Sequence, residues 1–153
     1  EALVNIEQDP SIRVVILTGE GLNFSAGADL NWMAKMASYS ETENYEDALK
    51  LAQMLNRLYR LSKPTIALVR GATYGGGNGL IACCDLAFAA TSATFCFSEV
   101  KLGLIPAVIS PYILNVMGAR ATRYYFLTAE PFYADHACRL GLITGIVPDH
   151  DLT

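Results

Sequence analysis

Glu99 is a carboxylate in an otherwise apolar stretch, "FCFSEVKLGLIP" (95 to 106). Two kinds of chemistry suit it. It can serve locally, in a turn capped by Ser98 over Glu99 to Lys101 or in a pair with Lys101. Alternatively, desolvation raises its pKa and makes it a general acid/base. Two small-residue loops, "FSAGADL" (24 to 30) and "TYGGGNGL" (73 to 80), supply the other chemistry. Each follows a strand-like run and leads into a helix-like one, where backbone N–H groups lack internal partners and can receive an anion or a polarised carbonyl oxygen. No GK[ST] follows either loop, and in "GEGLNF" the third position of a GxGxxG pattern is Phe24, so phosphate cradling of those types is unsupported. What remains is one N–H from each loop aimed at a single oxygen. Such a donor is worth about 3 kcal/mol when the charge exists only in the transition state. Spacing alone leaves this open, because glycine-bearing loops between strand and helix are common.

The other titratable groups read as structural. Asp85 ends "IACCD" and suits hydrogen bonding at a strand start, and Asp29 suits the first turn of its helix. His136 and His150 have no nucleophile nearby in sequence, Ser98 and Ser110 lack a GxSxG setting, and no ligand cluster suggests a metal. Cys83, Cys84, Cys96 and Cys138 form no CxxC pair and read as small buried hydrophobes of a reducing, cytoplasmic setting.

Positioning these groups requires alternating strands and helices. "RVVILTG" (13 to 19), "TIALVRG" (65 to 71), "DLAFAA" (85 to 90), "TFCF" (94 to 97) and "ITGIV" (143 to 147) read as strands. Helices are expected over 29–37, 45–61, 77–84, 107–117, 119–127 and 133–140, and the first residues read as the tail of another. The class is α/β, taken as one domain over 1–153. With 153 residues, 52% of them hydrophobic and 17% charged, the chain can bury a core. Its net charge of −4 argues against nucleic acid as a partner, and it contains no apolar run long enough to span a membrane. Both ends read as cut from something longer.

The order of "RVVILTGEGLNFSAGADL", "KPTIALVRGATYGGGNGLIACCDLAFA" and "FCFSEVKLGLIPAVISPYIL" resembles the crotonase (enoyl-CoA hydratase/isomerase) superfamily over nearly the whole chain. "ADLNWM", "GNGLIACCD", "SEVKLGLIPAVISPY" and "RYYFLTAEPF" are similar to its bacterial methylglutaconyl-CoA and isohexenylglutaconyl-CoA hydratase branch. The resemblance implies a spiral of ββα turns, incomplete here at both ends, and trimers or hexamers. It also implies a CoA thioester substrate, with coenzyme A part of that substrate and no separate cofactor. Its thioester oxygen would sit between the N–H groups of Ala28 and Gly76. The resemblance further implies substrate or CoA contacts from Ala26, Ala28, Asp29, Leu30, Asn31, Trp32, Tyr74, Gly75 and Gly76, with Met33 beside Trp32 near the acyl group. For Trp32 and Met33 a packed amphipathic face is the competing reading.

Hydratases of this family usually hold the attacking water between two glutamates. One would stand where this sequence has Gly79, and the other is Glu99. A single carboxylate suits hydration, proton shuttling between α and γ carbons in an isomerase, or loss of catalysis in an acyl-CoA binder. Lys35, Arg120 and Arg123 are candidates to meet a distal carboxylate, or else solvated helix charges.

Overall fold

The computed structural model describes residues 1–36 and 38–152. A short helix, α1 (Ala2–Gln8), leads into β1 (Val15–Thr18). α2 (Leu30–Met36) and α3 (Glu41–Tyr59) follow, then β2 (Thr65–Val69), β3 (Ala72–Tyr74) and α4 (Gly76–Ala82). The next turn is β4 (Leu86–Ala90), β5 (Thr94–Cys96), a 3-10 turn over Glu99–Leu102 and α5 (Ser110–Thr128). β6 (Phe132–Tyr133), α6 (Ala134–Arg139) and β7 (Gly145–Val147) complete the order, with a 3-10 turn at Asp149–Asp151.

Two sheets organise these elements. β1, β2, β4 and β7 lie side by side and parallel, with Ile16, Ile66 and Leu86 in register. β3, β5 and β6 form the second sheet, which Ser25 extends by a single parallel bridge to Thr73. Each pass thus runs from the first sheet to the second and returns through a helix: β1, Ser25 and α2–α3, then β2, β3 and α4, then β4, β5 and α5. This is the spiral of ββα turns that the resemblance implies.

Alternation along the strands sends Ala67, Val69, Ala87 and Ala89 into the core, where each is at most 4% exposed. These small residues let α3 and α4 approach the sheet through Leu55, Leu58, Ile81 and Ala82. In the same core Phe132 stacks on Phe95 and Phe97, with Tyr125 4.3 Å from Phe132.

Several boundaries differ from the sequence expectation. α3 begins at Glu41 because Ser40 and Glu43 form a reciprocal capping box, in which each side chain bonds the other's backbone N–H. Residues 107–109 form a turn, and α5 starts at Ser110, with Pro111 fitting the first helical turn. Gly118, at φ 75° and ψ 160°, breaks that helix between the two segments expected from sequence. β3 and β6 escape the sequence reading because strands of three and two residues show no periodicity. Ser98 occupies the cap position of its turn, but its side chain makes no capping bond.

Candidate active site

The two glycine-bearing loops are bonded to one another. Phe24 N–H donates to the Arg70 carbonyl (2.7 Å), Ser25 N–H to Ala72 (3.2 Å), and Tyr74 N–H back to Ser25 (2.9 Å). Asn23 Oδ1 accepts from Ala72 N–H at 2.8 Å. This ladder sets the loop after β1 against the start of α4, so Ala28 and Gly76 line one cavity of about 820 Å³. Gly76 is the first residue of α4, so its N–H has no intrahelical acceptor. A Cβ built on Gly76 would meet nothing within 4 Å, so that face of the residue is open.

Glu99 enters the same cavity from the third turn of the spiral. The Cys96 carbonyl at the end of β5 accepts from Gly75 N–H at 3.0 Å, which ties the start of α4 to the strand that leads into the Glu99 turn. Gly75 adopts φ +51°, and a Cβ there would stand 3.0 Å from Glu99 Oε1. Glycine therefore serves two purposes at position 75: the left-handed backbone and the seat of the carboxylate. Glu99 Oε2 is buried and has no hydrogen-bond partner. Burial raises the Glu99 pKa above the ordinary carboxylate value, against a smaller opposing pull from its own backbone N–H. Of the two sequence readings of Glu99, local pairing has no bond to support it. The carboxylate is desolvated, and an unpaired buried carboxylate oxygen facing a cavity is the setting a general acid/base would need.

The seat expected for a second glutamate is closed. A Cβ on Gly79 would lie 2.3 Å from Ile109 Cγ2 and 2.8 Å from Ile109 Cβ. Ile109, at the N-cap of α5, is 3% exposed. Its side chain occupies the space a residue larger than glycine would need, so the cavity presents an apolar wall there.

Of the residues expected to contact substrate, Ala28, Asp29, Trp32 and Gly76 line the cavity, as do Met33 and Gly77. Asp29 also caps α2, accepting from Trp32 N–H at 2.9 Å as its helix-start reading expects. Gly75 lies beneath the Glu99 carboxylate. Ala26, Asn31 and Tyr74 fall outside the lining, and the side chain of Leu30 lies outside the described part of the structure. Lys35, Arg120 and Arg123 are likewise not lining residues, and no Lys, Arg or His is found among the described residues that line the cavity. Asp85 accepts from Thr65 N–H (2.7 Å) and Oγ1 (2.8 Å), fastening β2 to β4 in a structural role. His136 meets the Tyr125 hydroxyl at 3.2 Å. Burial pushes the Cys83 thiol up to about 12 and that of Cys84 to about 11, so neither is a nucleophile at neutral pH.

Sequence reasoning missed Ile109 and Asn78. The signal for Asn78 was present, as a lone amide inside an apolar run. Ile109 carried no signal, because its contact with Gly79 spans 30 residues and exists only once α5 packs on α4.

The family model described as Enoyl-CoA hydratase/isomerase matches residues 1–153. The crystal structure of an enoyl-CoA hydratase from Shewanella pealeana is 50% identical and superposes with a TM-score of 0.96, over 98% of this chain and 57% of that one. A hydroxycinnamoyl-CoA hydratase-lyase of Pseudomonas fluorescens is 34% identical over 97% of this chain and 55% of its own length. A mitochondrial Delta(3,5)-Delta(2,4)-dienoyl-CoA isomerase of Dictyostelium discoideum is 34% identical over 95% of this chain and 53% of its own. The chain thus spans a little over half the length of these relatives.

Proposed function

The chain belongs to the enoyl-CoA hydratase/isomerase family of the crotonase superfamily, and on that premise we propose that the protein is an enoyl-CoA hydratase working with Glu99 as its single acid/base. The observation that carries the reading is the buried, unpartnered Oε2 of Glu99 in the same cavity as Ala28 and Gly76. In this reading the thioester oxygen lies between the N–H groups of Ala28 and Gly76. The Glu99 carboxylate takes a proton from water, and the hydroxide oxygen bonds to Cβ. The alkene electron pair moves through Cα onto the thioester oxygen, giving an enolate held by the two N–H donors. Glu99, now protonated, returns that proton to Cα, and the net change is one water added across the double bond. The donors act where charge appears, so they lower the barrier more than they tighten ground-state binding.

A second reading draws on Gly79 and Ile109. With one carboxylate and an apolar wall opposite, the same parts suit proton transfer from Cα to Cγ, an enoyl-CoA isomerisation. Incubation of the complete protein with 2-enoyl-CoA and 3-enoyl-CoA substrates separates the two. A 3-hydroxyacyl product supports hydration, while exchange between the two enoyl isomers without it supports isomerisation. Binding without turnover on either substrate would favour a non-catalytic acyl-CoA binder.

The acyl group proposed is a branched one of the methylglutaconyl type. The apolar lining from Trp32, Met33, Leu80 and Val108 suits its hydrocarbon part. Its distal carboxylate would find no cation among the described lining residues, so the comparison of 3-methylglutaconyl-CoA with crotonyl-CoA tests this step by itself. A preference for crotonyl-CoA would overturn the branched assignment and leave the hydratase reading standing. The homo-trimer or hexamer expected from the family remains a proposal, tested by light scattering.

A further inference from the structure

We propose that Asn78 is a positioning residue that fixes the Gly76 N–H relative to the Glu99 carboxylate, an inference that rests on the reading of the site given above. Asn78 lies in the first turn of α4 and is fully buried. Its Nδ2 donates to the Cys96 carbonyl at 2.9 Å and to the Thr73 carbonyl at 3.4 Å. Two carbonyl acceptors fix the orientation of the amide, since the flipped rotamer would set oxygen against oxygen. Its Oδ1 is then buried with no donor.

A buried amide with an orphaned oxygen is a net cost that an apolar residue of the same size would avoid. Its benefit lies in the geometry. The Cys96 carbonyl accepts twice, from Gly75 N–H and from Asn78 Nδ2. Cys96 stands three residues before Glu99, and Gly75 and Asn78 bracket Gly76. One carbonyl therefore holds the oxyanion side and the acid/base side of the site together. With Asn78 absent, the Cys96 carbonyl would keep only its bond from Gly75 N–H, at the end of the β3–β5 pairing, and the first turn of α4 beyond it would be freer to tilt. A tilt that moves Gly76 N–H by a fraction of an ångström weakens stabilisation of the transition state more than binding of the substrate, because alignment matters most when charge develops.

The test uses the complete protein with Asn78→Leu, Asn78→Ala and, in parallel, Glu99→Gln. Leu keeps the volume and removes both the donor and the orphaned oxygen. The readouts are thermal unfolding, acyl-CoA affinity, kcat and KM, and the red shift in absorbance of a bound aryl-conjugated enoyl-CoA, which reports carbonyl polarisation by the two N–H groups. We expect Asn78→Leu to fold with a Tm close to wild type and to bind acyl-CoA with little change. Its kcat should fall roughly 10- to 100-fold at similar KM, with a smaller red shift. A folded Asn78→Leu with wild-type kcat and red shift, while Glu99→Gln abolishes turnover, would overturn the proposal and leave the site reading intact. If Glu99→Gln retains full turnover, the site reading itself fails, and the red shift alone then decides on Asn78. Should Asn78→Ala fail to fold, Leu carries the comparison. A Leu variant that also unfolds would make Asn78 a stability residue and contradict the inference.

Discussion

At the scale of single residues, the desolvated Glu99 carboxylate gives predictions with a defined sign. Burial raises its pKa in the folded chain. Below the ordinary glutamate value both folded and unfolded states carry the proton. Between that value and the raised one only the folded state holds it, so stability falls as pH rises through this window. Glu99→Gln should therefore raise Tm at neutral pH, with the gain vanishing in acid, while turnover is lost and acyl-CoA binding persists. Thermal scans across pH check this, and a Tm gain that persists below the ordinary glutamate value would contradict it. For the wild type, kcat should rise with pH through an apparent pKa above the usual carboxylate range. Because Ile109 fills the space at the Gly79 Cα, Gly79→Glu should destabilise by about 1–3 kcal/mol through overpacking and should not raise the hydration rate. Adding Ile109→Ala should recover part of the lost Tm, and the absence of any coupling between the two substitutions would contradict the packing argument.

At the scale of elements, the site depends on how well α3 and the loop ladder are fixed. α3 places Asn44, Leu51 and Met54 on the cavity wall, and its first turn is held by the Ser40–Glu43 capping box. Ser40→Ala should cost about 1 kcal/mol of stability and fray that turn, visible as faster amide exchange over residues 41–44. Unchanged Tm and exchange would show that the cap is dispensable. The elements also show what the sequence could convey. Strands β1, β2 and β4 were legible because buried parallel strands read as apolar β-branched runs, and α4 because a short apolar run follows its glycines. The start of α3 was not, since its cap lies outside the apolar period. The roles of Asn78 and Ile109 were not either, because their partners lie 18 and 30 positions away and meet only through the packing of the second and third spiral turns. Glu99 was legible as a candidate, but the choice between local pairing and desolvation required its burial and its missing partner.

For the whole molecule, the spiral places two loops from its first and second turns and a carboxylate from its third around one cavity. No single turn contains the site, which is why motif spacing left it open. The lining is apolar, with Asp29 and Glu99 its charged side chains among the described residues, which suits the hydrocarbon part of an acyl chain around the reacting carbons. In the proposed reaction Glu99 directs the addition of water to an enoyl thioester polarised by Ala28 and Gly76. Its most direct test is mass spectrometry of the acyl-CoA product formed by the complete protein from crotonyl-CoA in heavy-oxygen water. The expected product is a 3-hydroxyacyl-CoA that carries the heavy oxygen, formed by wild type and not by Glu99→Gln. A product without solvent oxygen, or labelled product from Glu99→Gln at the wild-type rate, would contradict it.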